Sequence, residues 1–304
     1  MLKHFLKKFF IHCISMNLQT STLNSYENRL NIFNDYLNNA GYKNITDITA
    51  DTIREFLAQK ANCVSKSTLW AYYITLNIFF KFLYRNNLIS NNIIENVSKP
   101  RKKKHTLRVF NNTEIKLILN YFDKSTFIGF RNYAIMCTLF STGIRISELC
   151  NLNCVDIMFE LDMINIIGKG DKQRHIPITA TLKKIMLKYF KMRNEYITEK
   201  SLNQSRFYFI TRTGNKINRD NIEWLFIKIK NSYKIQGDRF SAHTFRHTFA
   251  KTYLLNGGDI FSLQKILGHE KIETTRQYID LNETEIKIQN EKYNPLDNTR
   301  WQYY

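Results

Sequence analysis

Acidic residues are scarce in this chain of 304 residues: 26 Asp and Glu face 45 Lys and Arg, a net charge of +19. A surplus of that size points to a polyanionic partner, nucleic acid ahead of an anionic membrane surface. Long apolar runs are missing too. No stretch reaches the roughly 18 consecutive apolar residues of a membrane span, so no membrane partner is expected. Cysteine is sparse. Cys13, Cys63, Cys137, Cys150 and Cys154 form an odd, scattered set that makes no disulfide framework, and a reducing cytoplasm is the expected location. Cys150 and Cys154 lie four apart with no second Cys or His pair at zinc-site spacing, so buried thiols are expected there and no metal. Internal repeats and low-complexity tracts are absent. With 43% hydrophobic residues, the chain reads as globular, about two domains long.

The first third reads as helical throughout. Leu2, Phe5, Leu6, Phe9, Phe10 and Cys13 recur at helical spacing between Lys3, Lys7 and Lys8. A signal peptide would gather its charge ahead of one apolar run, whereas this alternation predicts an amphipathic helix packed on a domain. A second helix starts near Thr20 or Ser21, either of which can cap it, carries Leu23, Tyr26, Leu30, Phe33 and Leu37, and ends at Gly41. A third runs over about 51–60 and a fourth over about 67–86, giving a helical bundle over residues 1–97. Residues 98–108 follow, with six Lys or Arg among eleven residues and no acid. Such dense charge without periodicity predicts an extended linker, with Arg101, Lys102, Lys103 and Lys104 placed to meet phosphates.

Residues 109–304 have a mixed pattern, so the fold class is mainly α with a small β-sheet. Asn111 or Asn112 can cap a helix through Phe122, and the apolar segment 133–140 leads into a turn at Arg145. Strands are expected at 162–167 and 173–178, joined by a turn holding Lys169. Thr179 opens a helix to about 195, 207–210 reads as a short strand, and helices follow at about 219–233 and 243–255.

The chemistry-bearing residues lie in this second part. Phosphoryl transfer at a phosphodiester needs cations on the non-bridging oxygens, an in-line nucleophile and a proton for the leaving oxygen. Arginine suits the first task because its planar fork binds phosphate bidentately and stays charged. Arg145 follows a Thr-Gly turn, and Glu148, three residues on, shares its helix face and can orient it. Arg246 stands three residues after His243. His243 and His247 have i,i+4 zinc spacing, but a cationic Arg246 between them opposes a metal, and His247 reads as a supporting hydrogen-bonding histidine. His269 follows a Leu-Gly pair, and Tyr278 comes nine residues later after Thr274, Thr275 and Arg276. A free tyrosine, with a pKa of about 10, is only roughly a thousandth ionised at neutral pH. Arginines and a histidine beside it can favour the phenolate or accept its proton.

Taken together, Ser141-Thr142-Gly143-Ile144-Arg145-Ile146-Ser147-Glu148-Leu149, Gly168-Lys169-Gly170, His243-Thr244-Phe245-Arg246-His247, Leu267-Gly268-His269-Glu270 and Thr275-Arg276-Gln277-Tyr278 resemble, in order and spacing, the tyrosine recombinase (phage integrase) family and its short Xer-type members. The resemblance implies a helical, SAM-like core-binding domain followed by a mixed α/β catalytic domain, and a site-specific recombinase that cuts and rejoins double-stranded DNA through a 3′-phosphotyrosyl intermediate without cofactor or metal. It implies that Arg145 and Arg246 bind the scissile phosphate, that Tyr278 attacks it, and that Lys169 protonates the 5′-oxygen. His243 would be the acid–base partner of Tyr278, and His269 would hydrogen-bond the phosphate. It further implies a homotetramer on paired sites, alone or with a related recombinase, in which the segment after Tyr278, with Ile286, Ile288, Tyr293 and Trp301, docks on a neighbouring protomer. No small domain precedes the bundle, so no binding of distant arm sequences is expected. A type IB topoisomerase would use the same side chains, and a non-cutting DNA-binding protein would use the charge alone.

Overall fold

A computed structural model describes residues 2–101, 107–168, 173–235, 240–279 and 283–293. The chain divides into two compact units, Met1–His105 and Thr106–Tyr304.

The first unit consists of α1 (Lys3–Ser15), α2 (Thr20–Asn39), α3 (Ala50–Ala61) and α4 (Lys66–Arg85), with short 3-10 turns between α2 and α3 and after α4. The apolar stripes converge: Phe9, Leu30, Phe33, Phe56, Phe79, Phe80 and Leu83 are all buried. Phe33 meets Phe56 edge-on at 4.9 Å between centroids, a preferred aromatic geometry. Caps fix the helix starts. Thr49 Oγ1 accepts from Thr52 N–H and Ser65 Oγ from Thr68 N–H. Neither Thr20 nor Ser21 caps α2, which starts one residue too early for them: Gln19 holds the cap position without a side-chain bond. Gly41 does follow the end of α2, at φ +81°. Asn34 is buried, and its Oδ1 accepts the Leu2 N–H at 2.9 Å, tying the first helix down.

The second unit opens with α5 (Asn112–Asn120), where Asn111 and Glu114 cap each other's backbone N–H. α6 (Phe127–Thr142) is buried on nearly every side and runs through the core. α7 (Ile146–Asn151) precedes an antiparallel sheet of β1 (Ile157–Met158), β2 (Met163–Ile167) and β3 (Gln173–Pro177), in that spatial order. The register pairs Ile164 with Ile176 and Ile166 with Arg174, which sets Arg174 on the sheet's buried face. α8 (Ala180–Glu199), α9 (Arg219–Ser232), α10 (Ala242–Leu255), α11 (Ile260–Leu267), α12 (Ile272–Arg276) and α13 (Glu283–Tyr293) complete the unit.

Segment 207–210 is not a strand. Tyr208, Phe209 and Ile210 are buried as their pattern suggests, but their backbone bonds go singly to Leu152 and Ile217 and to the Tyr189 hydroxyl, and no ladder forms. α13 lies along the end of α10: Gln289 donates to the Leu255 carbonyl, Lys292 to that of Asn256, and Lys251 pairs with Glu285 at 2.7 Å. Ile286, Ile288 and Tyr293 remain about half exposed, and Trp301 lies outside the described residues. Among the described residues no helix is long and apolar enough to cross a membrane.

Candidate active site

The site is assembled on the C-terminal end of α11. The last four carbonyls of any helix lack intrahelical partners and carry the negative end of its dipole. Here all four are satisfied. Gln264 O and Lys265 O accept the backbone N–H groups of His269 and Gly268. Ile266 O accepts from Arg174 Nε at 2.9 Å, and Leu267 O accepts from Arg246 Nη2 at 2.7 Å and, at 3.5 Å, from Arg145 Nη1. Three guanidinium groups thus meet where the helix dipole is negative. Gly268 makes the turn possible at φ +65°, and a Cβ there would sit 2.9 Å from Arg174 Cδ. Gly143 plays the matching part at the end of α6. Its φ is +59°, a Cβ would meet Phe249 at 2.5 Å, and its carbonyl accepts from Arg246 Nη1 at 2.7 Å.

Glu148 organises the cations. Its Oε2 accepts the Arg145 backbone N–H, its Oε1 accepts Arg145 Nη1, and Arg174 grips both oxygens at 2.9 and 2.7 Å. Burial pushes the Glu148 carboxyl up, but the hydrogen bonds and charge of Arg174, followed by the hydrogen bonds of Arg145, hold it below its ordinary value. Arg246 is 3% exposed. Burial, then the like charge of Arg145, draws its pKa down to about 10, so it stays cationic at neutral pH. The Arg145 side chain is 42% exposed, leaving part of its fork open to an incoming anion.

His269 and Tyr278 close the site. His269 Nδ1 lies 2.9 Å from Thr275 Oγ1, and its Nε2 lies 2.9 Å from Arg246 Nη2. A guanidinium only donates, so Nε2 accepts and the ring proton sits on Nδ1, facing Thr275. Burial and the surrounding arginines pull the His269 pKa to about 4, so the ring is neutral at pH 7. Tyr278 is 3% exposed, follows α12, and stacks on His269 at 6.2 Å between centroids. Burial raises its phenol pKa, while the charge and hydrogen bond of Arg246, and the charge of Arg145, oppose that rise. Its hydroxyl lies 3.2 Å from His247 Nδ1.

The phage integrase family model matches residues 108–285, and the model of that family's N-terminal SAM-like domain matches residues 6–87. The chain belongs to the phage integrase family. It is similar to a tyrosine recombinase XerC of Bacillus licheniformis, 30% identical over 280 residues that cover 91% of each chain. It is also similar to a tyrosine recombinase XerD of Listeria monocytogenes, at 29% identity over 94% of this chain and 97% of the relative. In fold it resembles the Tn1549 transposon integrase in complex with a circular intermediate DNA, with a TM-score of 0.76, 18% identity, and 95% and 98% of the chains covered. XerH bound to its palindromic difH substrate has a TM-score of 0.74 at 22% identity, with 90% of this chain and 80% of that one covered.

Of the site residues expected from the sequence, Arg145, Glu148, Arg246, His269 and Tyr278 come together. Lys169 lies outside the described residues, as do Lys102, Lys103 and Lys104; Arg101 is exposed at the end of the first unit. The histidine seen at the Tyr278 hydroxyl is His247, one helical turn beyond His243. His243 is exposed, with its ring 4.2 Å from that of His247. Sequence reasoning missed Arg174 and Thr275. Arg174 had a signal: it takes the place of an apolar residue in the alternation Arg174, Ile176, Ile178, and a cation on the buried side of a strand needs a partner. Thr275 had none, since only the fold carries its hydroxyl to His269. Among the described residues no group of three His, Cys, Asp or Glu side chains is placed to hold a metal ion.

Proposed function

We propose that this chain, a tyrosine site-specific recombinase, cuts and rejoins double-stranded DNA through a 3′-phosphotyrosyl link on Tyr278. The observation that carries the reading is the convergence of a buried tyrosine hydroxyl, two arginines and a histidine on the end of one helix. Arg145 and Arg246 take the non-bridging oxygens of the scissile phosphate. The anion draws Arg246 Nη2 off His269 Nε2, and that imidazole turns to the phosphate as well. Tyr278 attacks phosphorus in line. Lys169, between β2 and β3, gives the 5′-oxygen its proton. His243, exposed on the first turn of α10, is the acid–base partner of Tyr278. The phosphotyrosyl bond keeps the energy of the phosphodiester, so the 5′-hydroxyl of a second strand can reverse the step without a cofactor.

The basic segment from Arg101 to Lys104 lies along the DNA backbone. Four protomers act on two paired sites, alone or with a related recombinase, and the half-exposed Ile286, Ile288 and Tyr293 of α13 offer a surface to the neighbour. The reaction takes place in the cytoplasm. The relatives named tyrosine recombinase and the integrase folds captured on DNA support this reading.

A duplex nicked just beyond the cleavage point tests it, because the cleaved end diffuses away and the link cannot reverse. The full-length chain should form a covalent adduct mapping to Tyr278. Binding without an adduct would leave a DNA-binding protein that never cuts. Relaxation of one supercoiled duplex without exchange between two sites would mark a strand-swivelling topoisomerase.

A further inference from the structure

We propose that Arg174 is a positioning residue for strand transfer: by holding Glu148 it leaves the charge of Arg145 to the scissile phosphate. The inference rests on the strand-transfer reading above and gives a part to the one guanidinium at the end of α11 that the mechanism does not use. Arg174 sits on β3, opposite Ile166, with 12% of its side chain exposed. Each of its three nitrogens has a partner. Nε donates to Ile266 O at 2.9 Å, and Nη1 and Nη2 donate to Glu148 Oε1 and Oε2 at 2.9 and 2.7 Å. Its stem lies against the turn at Gly268, where a Cβ would come within 2.9 Å of Cδ. Arg145 is the opposite case. It gives Glu148 its backbone N–H and one Nη1 bond, both at 2.9 Å, and 42% of its side chain is exposed. The enclosed guanidinium braces its neighbours, and the open one receives the anion.

The reason is charge. A carboxylate out of water needs a cation in place, and among the described residues the cations bonded to Glu148 are Arg145 and Arg174. Without Arg174, Glu148 and Arg145 would close into an ion pair with no net charge to offer. With it, a fork covers both carboxylate oxygens, the strong geometry for such a pair, and Arg145 keeps its positive charge. Arg145, Arg174 and Arg246 against Glu148 leave two net positive charges at the end of α11. A phosphodiester carries one negative charge and gains a second when the deprotonated tyrosine oxygen adds to phosphorus. The site is thus matched to the charge that develops there. The field of Arg174 also reaches its neighbours. It adds to burial and Arg145 in lowering the Arg246 pKa, and to burial, Arg246 and Arg145 in lowering that of His269.

The test is single-turnover cleavage of the nicked duplex by the full-length chain, after the unmodified protein has been shown to form its adduct. Absence of that adduct counts against the strand-transfer reading, whereas the variants bear on Arg174. Two substrates are compared: the ordinary phosphodiester, and a scissile methylphosphonate in which a methyl group replaces one non-bridging oxygen and removes the charge. Their rate ratio does not depend on how much of a variant is folded. Arg174→Met keeps the stem and removes the cation. Phosphodiester cleavage should slow by roughly 10² to 10³, the worth of one donor aimed at developing charge, with half-site affinity unchanged, while methylphosphonate cleavage holds. Adding Glu148→Gln removes the uncompensated carboxylate and should bring the ratio back towards its original value, which a merely structural role would not do. A 5′-bridging sulfur should leave the deficit in place, because proton delivery by Lys169 is not the step affected. An equal fall with both substrates, a ratio that the second substitution leaves low, or rescue by the sulfur would each overturn the proposal. If Arg174→Met does not fold, Glu148→Gln with and without it decides. In that background the added Arg174→Met should lower phosphodiester cleavage relative to methylphosphonate, and an unmoved ratio would overturn the assignment.

Discussion

The two units bury different chemistry. In the first, the described buried residues are apolar apart from Asn34, Thr52 and Thr75, and the core is a mesh of edge-on aromatics around Phe33, Phe56 and Phe80. In the second, the interior holds Arg131, Arg193, Arg246, Glu148 and His247. An apolar core is held by non-directional burial, to which any residue of the right size contributes. A buried ionic network is held by geometry, because each charge out of water needs a partner in place. The bundle therefore tolerates change by degrees. The network on the end of α11 depends on every member being in place.

Substitutions can break this contrast, beginning with the most severe. Tyr278→Phe keeps the ring that stacks on His269 and removes only the attacking oxygen, so the chain should bind its site and form no covalent complex at all. An adduct from this variant would show that the buried network is not the reacting centre and would turn attention to Tyr293 or Tyr303. Lys169→Ala should slow cleavage by roughly 10² to 10⁴, and a 5′-bridging sulfur should recover most of it. Without that recovery, Lys169 holds DNA and the proton comes from elsewhere.

The next pair compares the units directly. Glu148→Gln and Phe80→Ala both disturb fully packed positions. Removing a buried charge partner costs about 3–5 kcal/mol, and emptying a Phe site costs a similar ~3–5 kcal/mol. Only the first should depend on pH. The folded-state pKa of Glu148 lies below its ordinary value, so its contribution is present above the ordinary carboxyl range and is lost as pH falls through the folded pKa. Denaturant unfolding at neutral and at acid pH should show the Glu148→Gln gap closing in acid while the Phe80→Ala gap stays. If both gaps close together, the contrast between the two cores is wrong. The mildest change lies in the basic segment that follows the bundle. Replacing Arg101, Lys102, Lys103 and Lys104 with Ser should weaken binding to every sequence alike, and the log–log salt slope should flatten by about 0.9 for each phosphate that the segment no longer neutralises. An unchanged slope would leave the segment in solvent.

The difference between the cores also governs what could be read in advance. Helical periodicity located α3 and α4 to within a residue, because most buried positions in the bundle are apolar letters at regular spacing. A cap at Asn111 or Asn112 was legible because capping is local, and the structure gives the place to Asn111, paired with Glu114 three residues on. Segment 207–210 misled because its burial comes from loops packing around it, which looks the same in sequence as burial in a ladder. Arg174 and Thr275 were passed over because their partners, Glu148 and His269, are set by the fold.

The sequence alone determined the helical bundle, the charge surplus, the β-hairpin and the five motif clusters that place the chain among the integrases, since each depends on interactions within a few residues or on composition. Only the tertiary structure decided which side chains meet. It set three arginines on the orphan carbonyls at the end of α11, gave His269 its tautomer through Thr275 and Arg246, and brought His247 to the Tyr278 oxygen. The physical reason is distance along the chain. Gly143, Arg246 and Leu267 come from separate elements, as do Glu148, Arg174 and Ile266, and the hydrogen bonds within each set carry no periodic trace in the sequence. Their geometry exists only once both glycine turns and the core beneath them have formed.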